Sequence, residues 1–180
     1  IGIVTSSTSG PLVRTTRPSE RRGRPSDAQR RVPSYRGGMS EPTEAYRLEA
    51  RLPTADEYRS ICTAVGWQDV MNFAAAPDAL ARSLHAVVAE HHGTAVGMGR
   101  LVGDGAIYFY VQDVAVLPEH QGLGVGRRIV AELVAWARRH APDRAFLGLF
   151  AAAGTDAFYR RHGFERHDEL EGMFQVVRRS

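Results

Sequence analysis

"VLPEHQGLGVGRRIV", residues 116–130, decides the fold of this chain, because it joins an apolar run to an amphipathic run through a glycine-rich turn. After the turn, apolar residues recur every three or four positions, which predicts a helix from Gly124 to His140. The runs "DVAVLP" before it and "RAFLGLF" after it are typical of strands, the second of a short buried one. A strand, a helix and a strand in this order form a right-handed crossover between parallel strands.

The glycines Gly122, Gly124 and Gly126 lie where the first strand runs into the helix. The first N–H groups of a helix have no intrahelical partner, and the helix dipole places partial positive charge there. Because no Cβ atom stands in the way, an anion can approach these groups, so the stretch predicts a phosphate seat. Arg127 and Arg128 would add charge at its rim. The alternative is a turn that only links strand to helix.

Two common phosphate loops are excluded. The P-loop needs a lysine after its last glycine, and this chain contains no Lys. The dinucleotide fingerprint GxGxxG needs a third glycine, which would fall on Arg127 or on Ile129, depending on the register. Neither pattern fits.

Composition is that of an ordinary globular domain, with 43% hydrophobic and 24% charged residues. No apolar run reaches the roughly 18–20 residues of a membrane span, so we expect no membrane partner. Cys62 is the only cysteine, which excludes an intramolecular disulfide framework and favours a reducing compartment, the cytoplasm. We expect no metal, because neither HExxH nor paired Cys/His spacing occurs.

Basic charge is concentrated in residues 1–38, which hold eight Arg against Glu20 and Asp27, whereas the rest of the chain is net acidic. This segment is rich in Ser, Thr, Pro and Gly and poor in apolar residues, which predicts a disordered or non-native tail. The domain then comprises residues 39–180, and we expect no nucleic-acid partner for it. A transit peptide and a polyanion-binding arm are alternative interpretations of the tail.

The remaining patterns indicate an α/β (α+β) fold. "AYRLEARLP" alternates like a strand, and "TADEYRSICTAVGW" begins a helix with a capping box, Thr54 and Glu57. "APDALARSLH" predicts a second helix, and three strand-like runs separated by "HHGT" and "GDG" predict an antiparallel meander. "GTDAFYRRHG" predicts a short helix ended by Gly163, and "FERHDELEGMFQVVRR" one or two closing strands. The sheet is therefore mixed, mostly antiparallel and flanked by helices.

A family resemblance extends these patterns. Residues 121–126, "QGLGVG", fit the Q/R-x-x-G-x-G/A acyl-CoA loop of the GNAT N-acetyltransferases, and "DAFYRRHGF" resembles the F-Y-x-x-x-G-F signature of that family. "AVGW" and "EGMFQ" are similar to one group of small-amine acetyltransferases. The resemblance covers about Tyr46 to Val177. The two motifs stand in the family's order and within the same strand–helix sequence.

The resemblance implies a splayed pair of parallel strands that opens a cleft for acetyl-CoA. In such a cleft the backbone of Val114, Ala115 and Val116 pairs with the pantetheine arm, and an N–H near Val116 stabilises the oxyanion. The diphosphate rests on the loop and on the start of the helix. The residues implied for this second contact are Gln121, Gly122, Leu123, Gly124, Val125, Gly126 and Arg127.

Catalytic roles follow from the same resemblance. Tyr159 occupies the position of the general acid that protonates the leaving thiolate, and its alternative role is packing beside Phe158 and Phe164. Asp113 is a candidate base or amine anchor, with structural hydrogen bonding as the alternative. Glu90, His91 and His92 are further candidates for the base.

The expected function is acetyl-CoA-dependent transfer of an acetyl group to the primary amine of a small molecule by direct attack. Two alternatives remain open: a non-catalytic acyl-CoA sensor or partner module, and an acetyltransferase of protein N-termini or side chains. The assembly is also open, and a homodimer is one option.

Overall fold

The computed structural model describes residues 46–167, 172–173 and 175–177. The predicted tail therefore lies outside the described residues, and the predicted closing strands lie partly outside them; no strand is formed by residues 164–167, 172–173 or 175–177. The elements in chain order are β1 Tyr46–Glu49, α1 Ala55–Ala64, a 3₁₀ turn Phe73–Ala75, α2 Ala76–Ala81, β2 His85–His91, β3 Thr94–Gly103, β4 Tyr108–Val116, a 3₁₀ turn Pro118–His120, α3 Val125–His140, β5 Phe146–Gly148 and α4 Asp156–Arg160.

The five strands form one sheet in the order β1-β2-β3-β4-β5. Neighbouring strands from β1 to β4 are antiparallel, and β4 and β5 are parallel, as a crossover through α3 requires. The predicted mixed sheet and meander are confirmed. The β2–β3 turn contains His92 and Gly93, both with positive φ, where the sequence reads HHGT.

Helix α3 covers one face of the sheet and α1 and α2 cover the other. The buried side chains of α3 recur at helical spacing, and each such side chain contributes about 1.5–3 kcal/mol when it is fully removed from water. A second cluster joins α1, α2 and the opposite face of β3 and β4. The buried residues of α3 are Val125, Ile129, Val130, Leu133, Val134 and Ala137.

Two glycines of β3 set how closely α3 approaches the sheet. A Cβ atom on Gly99 would lie 2.8 Å from Cγ2 of Ile129 and 3.0 Å from Cδ1 of Leu133. A Cβ atom on Gly97 would lie 3.2 Å from Cδ1 of Ile129. Because these positions are bare, the start of α3 packs against the centre of the sheet, beside the end of β4.

Helix α1 begins at the predicted capping box. The Thr54 hydroxyl accepts a hydrogen bond from the Glu57 N–H, and the Glu57 carboxylate accepts one from the Thr54 N–H. Arg51 donates to both carboxylate oxygens of Glu57 and also to Glu90, which joins the start of α1 to β2.

Strand β5 differs from the prediction of a buried strand. It has three residues, and the Phe146 side chain is 45% exposed. Among the described residues β5 pairs only with β4. The apolar run correctly predicted a strand, but not its burial, which depends on what lies on both edges.

Candidate functional site

Helix α3 opens without a side-chain cap. Gly124 is its N-cap with φ of 83°, and within the described ranges no side-chain cap hydrogen bond is made there. The left-handed backbone here favours glycine, as it does at Gly122, where φ is 75°. The first N–H groups of the helix therefore point outward with no acid to neutralise the dipole.

No side chain of the described residues fills the space above this opening. A Cβ atom on Gly122 would meet nothing within 4 Å, and one on Gly124 would meet only Nη2 of Arg127, at 3.8 Å. Leu123 is 52% exposed beside the loop, while Val125 is buried and anchors the first turn in the core. The residues of the predicted phosphate seat thus surround an open surface.

Arg127 carries an unpaired charge at this opening. Within the described ranges it has no ion pair or hydrogen bond, and it stands in the first helical turn, where a cation opposes the helix dipole. Such placement costs about 0.3–1 kcal/mol, which a bound anion would offset. Arg128 was expected at the same rim, but it donates to the Tyr46 carbonyl of β1, because the next helical position points to the other side of α3.

Gln121 fastens the loop to the end of β4. Its side-chain amide donates to the Val116 carbonyl at 2.8 Å. The Leu117 N–H donates to the Val96 carbonyl of β3, so by the alternation of an antiparallel ladder the N–H and C=O of Val116 face away from β3. The Val116 amide is therefore directed to the edge of β4 that does not face β3, and its role as an oxyanion donor stays a prediction.

Strands β4 and β5 separate well before β4 ends. Their parallel pairing runs from Tyr108 with Phe146 to Tyr110 with Gly148. Strand β4 continues to Val116, so its free edge over Val114, Ala115 and Val116 borders the opening of α3. The predicted separation of the parallel pair is present, and it leads directly to the glycine loop.

A β-bulge distorts β4 just before this edge. The register between β3 and β4 slips after Met98, so that Asp113 and Val114 both oppose Gly99. Asp113 has φ of 53°, a left-handed conformation that Asp tolerates better than most residues. The regular alternation of side chains along a strand is therefore interrupted here, because one extra residue is inserted.

The Asp113 carboxylate is buried and bound by two partners that the sequence analysis did not identify. Its Oδ2 accepts from Nε of Arg100 at 2.5 Å and from the Tyr58 hydroxyl at 2.9 Å, and its side chain is 6% exposed. Arg100 also donates to the Ala79 carbonyl and to Ser83 at the end of α2. The ion pair thus ties β3, β4, α1 and α2 together at the bulge.

Burial shifts the pKa values of the ionisable groups around this ion pair. Burial, and next the charge of Asp113, raise the pKa of Tyr58 above its ordinary value, so its hydroxyl stays protonated and donates to the carboxylate. Burial likewise raises the pKa of the Cys62 thiol to about 12, consistent with an inert core residue. No spacing rule indicated this cluster, since its members come from separate elements.

Tyr159 lies on the inner side of α4. It is 4% exposed, its ring packs edge-on against Phe158 and Phe164, and it belongs to the core cluster that includes the buried face of α3. This packing fits the core interpretation and also holds the phenol at a defined position. Its assignment as general acid stays a prediction.

The other candidate bases lie on the β1 and β2 side of the sheet. Glu90 is bound by Arg51. His91 ends β2 and His92 follows it in the β2–β3 turn, and the His91 ring lies 5.1 Å from that of His120 in the 3₁₀ turn after β4. His91 stacks on Tyr46. The part of the chain that the structure describes contains no group of His, Cys, Asp or Glu suited to a metal ion, and none of its helices is long and apolar enough to cross a bilayer.

Comparison with known proteins gives consistent matches. Residues 82–166 match the model of the acetyltransferase (GNAT) domain. Histone acetyltransferase TAP1 of Glycine max is 30% identical over 129 residues, which are 66% of this chain and 55% of the relative. Serotonin N-acetyltransferase 2, chloroplastic, of Oryza sativa subsp. japonica is 38% identical over 82 residues, which are 45% of this chain and 40% of the relative. The chain spans about half the length of these curated relatives.

A solved structure matches over a larger share of its length. The acetyltransferase SP0256 of Streptococcus pneumoniae TIGR4, a GNAT family protein, superposes with a TM-score of 0.62 and 28% sequence identity. The match covers 74% of this chain and 99% of that one. The matched family segment includes both the glycine loop and α4, the two elements on which the resemblance was based.

Proposed function

We propose that the chain, which matches the acetyltransferase (GNAT) domain over residues 82–166, is an acetyl-CoA-dependent N-acetyltransferase acting on the primary amine of a small molecule. One observation carries the proposal: an uncapped, glycine-lined helix start with an unpaired Arg127, placed at the end of a strand that separates from its parallel neighbour. This arrangement suits an elongated anionic ligand with a peptide-like arm.

The loop and the first turn of α3 would hold the diphosphate. The N–H groups over residues 122–127 supply hydrogen-bond donors, Arg127 supplies charge, and Gln121 keeps the loop against β4. The pantetheine arm would lie along the free edge of β4 over Val114, Ala115 and Val116, as an added strand does. Since Gln121 holds the Val116 carbonyl, we expect the Val116 N–H to be the group available at this end of the edge.

Transfer would proceed by direct attack of the neutral amine on the thioester carbonyl carbon. The C–N bond forms, the C–S bond breaks, and the Val116 N–H stabilises the charge that develops on the carbonyl oxygen. Tyr159 would give a proton to the leaving thiolate, and the proton released by the amine would pass to water or to a protein base.

Asp113 is a less suitable proton acceptor than its position on β4 suggested. A proton placed on its carboxylate would break the ion pair with Arg100, whose side chain is only 14% exposed. We therefore propose that Asp113 shapes the cleft by holding the bulge, and a role as base stays a prediction. The two roles are separated by the first experiment in the Discussion.

The choice of a small amine as acceptor draws support from a relative named for serotonin, whereas a second relative is named for histones. A protein acceptor is therefore the alternative. Turnover with a panel of small amines, compared with peptides bearing a free N-terminus or lysine, distinguishes the two. Acetylation of peptides alone would contradict the small-amine proposal.

The free and buried Cys62 supports a reducing compartment, and we propose the cytoplasm. A homodimer is a further proposal, which light scattering of the purified chain would test. A single mass equal to the monomer over a wide concentration range would contradict it.

Calorimetric titration with acetyl-CoA tests the proposed phosphate seat at the start of α3. We expect Gly124→Glu to abolish binding, because its carboxylate enters the open space and repels the diphosphate. Gly124→Ala is the matched control, since it carries the same left-handed strain of about 1–2 kcal/mol without the charge. If folded wild-type protein shows no binding, or if Gly124→Glu binds like Gly124→Ala, the proposed seat is wrong.

Steady-state kinetics test the proposed role of Tyr159 as general acid. Tyr159→Phe keeps the ring packing against Phe158 and Phe164, so the affinity for acetyl-CoA should stay near the wild-type value. Turnover should fall by about 10²–10⁴-fold, the range for loss of a general acid. Unchanged turnover would leave Tyr159 as a core residue only.

A further inference from the structure

One tyrosine of β1 contacts both ends of the loop that forms the phosphate seat. This loop, residues 121–124, leaves the 3₁₀ turn at His120 and enters α3 at Val125. The Tyr46 hydroxyl is hydrogen-bonded to Nδ1 of His120 at 2.9 Å, and the Tyr46 carbonyl accepts a hydrogen bond from Nη1 of Arg128 at 2.9 Å. Tyr46 therefore ties the turn before the loop and the start of the helix after it to the same strand.

The surroundings of the Tyr46 side chain hold it in one position. It is 7% exposed, its ring stacks on His91 with the centroids 4.9 Å apart, and it meets the ring of His120 edge-on at 5.7 Å. A phenylalanine would fill the same space, and a buried hydroxyl is costly unless it has a partner. Because that partner is His120, the hydroxyl serves the 3₁₀ turn rather than the core.

The position of His120 is passed directly to the loop, since Gln121 is the next residue. The His120 N–H donates to the Leu117 carbonyl, which closes the turn. The Gln121 side chain then donates to the Val116 carbonyl of β4. The loop is thus held from β4 through Gln121 and from β1 through His120.

The loop itself supplies little stiffness. Gly122 and Gly124 leave it open to an anion, but glycine loses more backbone freedom than any other residue when its conformation is fixed. A site that is ordered before its ligand arrives binds more tightly, because the cost of ordering does not reduce the affinity. Contacts from outside the loop must provide this order, and the contacts of Tyr46 are suited to do so.

We infer that Tyr46 is a positioning residue of the phosphate seat, whose hydroxyl acts through His120 to hold the loop in the conformation that binds the coenzyme. The inference rests on the proposed function, because it concerns the site to which acetyl-CoA would bind. Strands β1 and β5 lie at opposite edges of the sheet, so Tyr46 is remote from the cleft between β4 and β5 where the acyl group would lie. Loss of the hydroxyl should therefore weaken coenzyme binding without slowing the chemical step.

Calorimetry and steady-state kinetics of Tyr46→Phe, in the full chain, test this role. The substitution keeps the ring, its stacking on His91 and the carbonyl that binds Arg128, so the variant should fold. The Kd and KM for acetyl-CoA should rise about two- to tenfold, the range for the loss of one hydrogen bond, while kcat should not fall. Tyr108→Phe is the matched control, because Tyr108 begins β4 and lies at the other end of that strand from the loop.

A double-variant cycle shows whether the hydroxyl acts through His120. His120→Phe removes the same hydrogen bond from its other side. If the two groups act as one contact, the double variant should weaken acetyl-CoA binding by less than the product of the two single effects. Single effects that multiply fully would show that the two residues act independently, which would overturn the inference.

The remaining outcomes separate this inference from the proposed function. If Tyr46→Phe binds acetyl-CoA as Tyr108→Phe does, or if its kcat falls as far as its affinity, Tyr46 does not position the seat and the proposed function stands. If folded wild-type protein does not bind acetyl-CoA, the positioning role and the proposed function are overturned together.

Discussion

The buried ion pair at the β4 bulge offers a decisive experiment, the substitution Asp113→Asn. Asparagine has the same shape and tolerates the left-handed φ of 53° as readily as aspartate, so the backbone strain is unchanged. The substitution removes the negative charge that faces Arg100 and Tyr58. The substitution therefore removes the charge of residue 113 and leaves the backbone geometry of the bulge unchanged.

The expected cost follows from the burial of the pair. The Arg100 side chain is 14% exposed and the Asp113 side chain 6%, so the cation would be left with little water to replace its partner. Removing one member of a buried pair costs about 3–5 kcal/mol. For a chain of this size, a loss of 3 kcal/mol lowers the unfolding midpoint by roughly 6–12 °C. Tyr58→Phe, which keeps the ion pair, should cost less, about 1.5–3 kcal/mol.

Urea unfolding and turnover per folded molecule, measured on the same variants, separate the two roles of Asp113. If the carboxylate holds the bulge, the Asp113→Asn variant loses about 3–5 kcal/mol of unfolding free energy. Its turnover, measured at a temperature where the variant is folded, then falls only modestly. If the carboxylate is also the general base, turnover per folded molecule collapses in addition to the loss of stability. Stability within about 0.5 kcal/mol of the wild type would refute the structural argument, because that is the range of surface substitutions.

Three further outcomes are expected. Gly99→Ala should destabilise the protein by about 1–3 kcal/mol in urea unfolding, because its Cβ would lie 2.8 Å from Ile129; an unchanged midpoint would show that α3 can shift freely. Thr54→Ala should cost about 1 kcal/mol by removing one half of the capping box, with Thr54→Ser as the control that retains the hydroxyl. Hydrogen bonds from Arg51 are the first cause of the lowered pKa of Glu57, so its stabilisation is present above the unfolded pKa of about 4.3 and is lost as pH falls through the lower folded value. Glu57→Gln should flatten this acid dependence in thermal unfolding between pH 3 and 6, and an unaltered slope would contradict the assignment.

Much of the site could be predicted because its signals are local. A glycine favours a left-handed backbone through its own residue type alone, and both Gly122 and Gly124 have positive φ. The amphipathic spacing after them predicted α3 to within one residue at its start. The exposure of Phe146 depends on what packs around β5, which no local pattern encodes.

The sequence by itself determined the order of the elements, the antiparallel meander, the crossover and the bare helix start, because each depends on residues a few positions apart. Only the tertiary structure decided that Asp113 binds Arg100 and Tyr58, that Arg128 turns away to the Tyr46 carbonyl, and that the Tyr46 hydroxyl contacts His120. These contacts depend on the register of β3 against β4 and on how α3 and the sheet pack. Register and packing are set by the whole core at once, so no short stretch of the chain contains them.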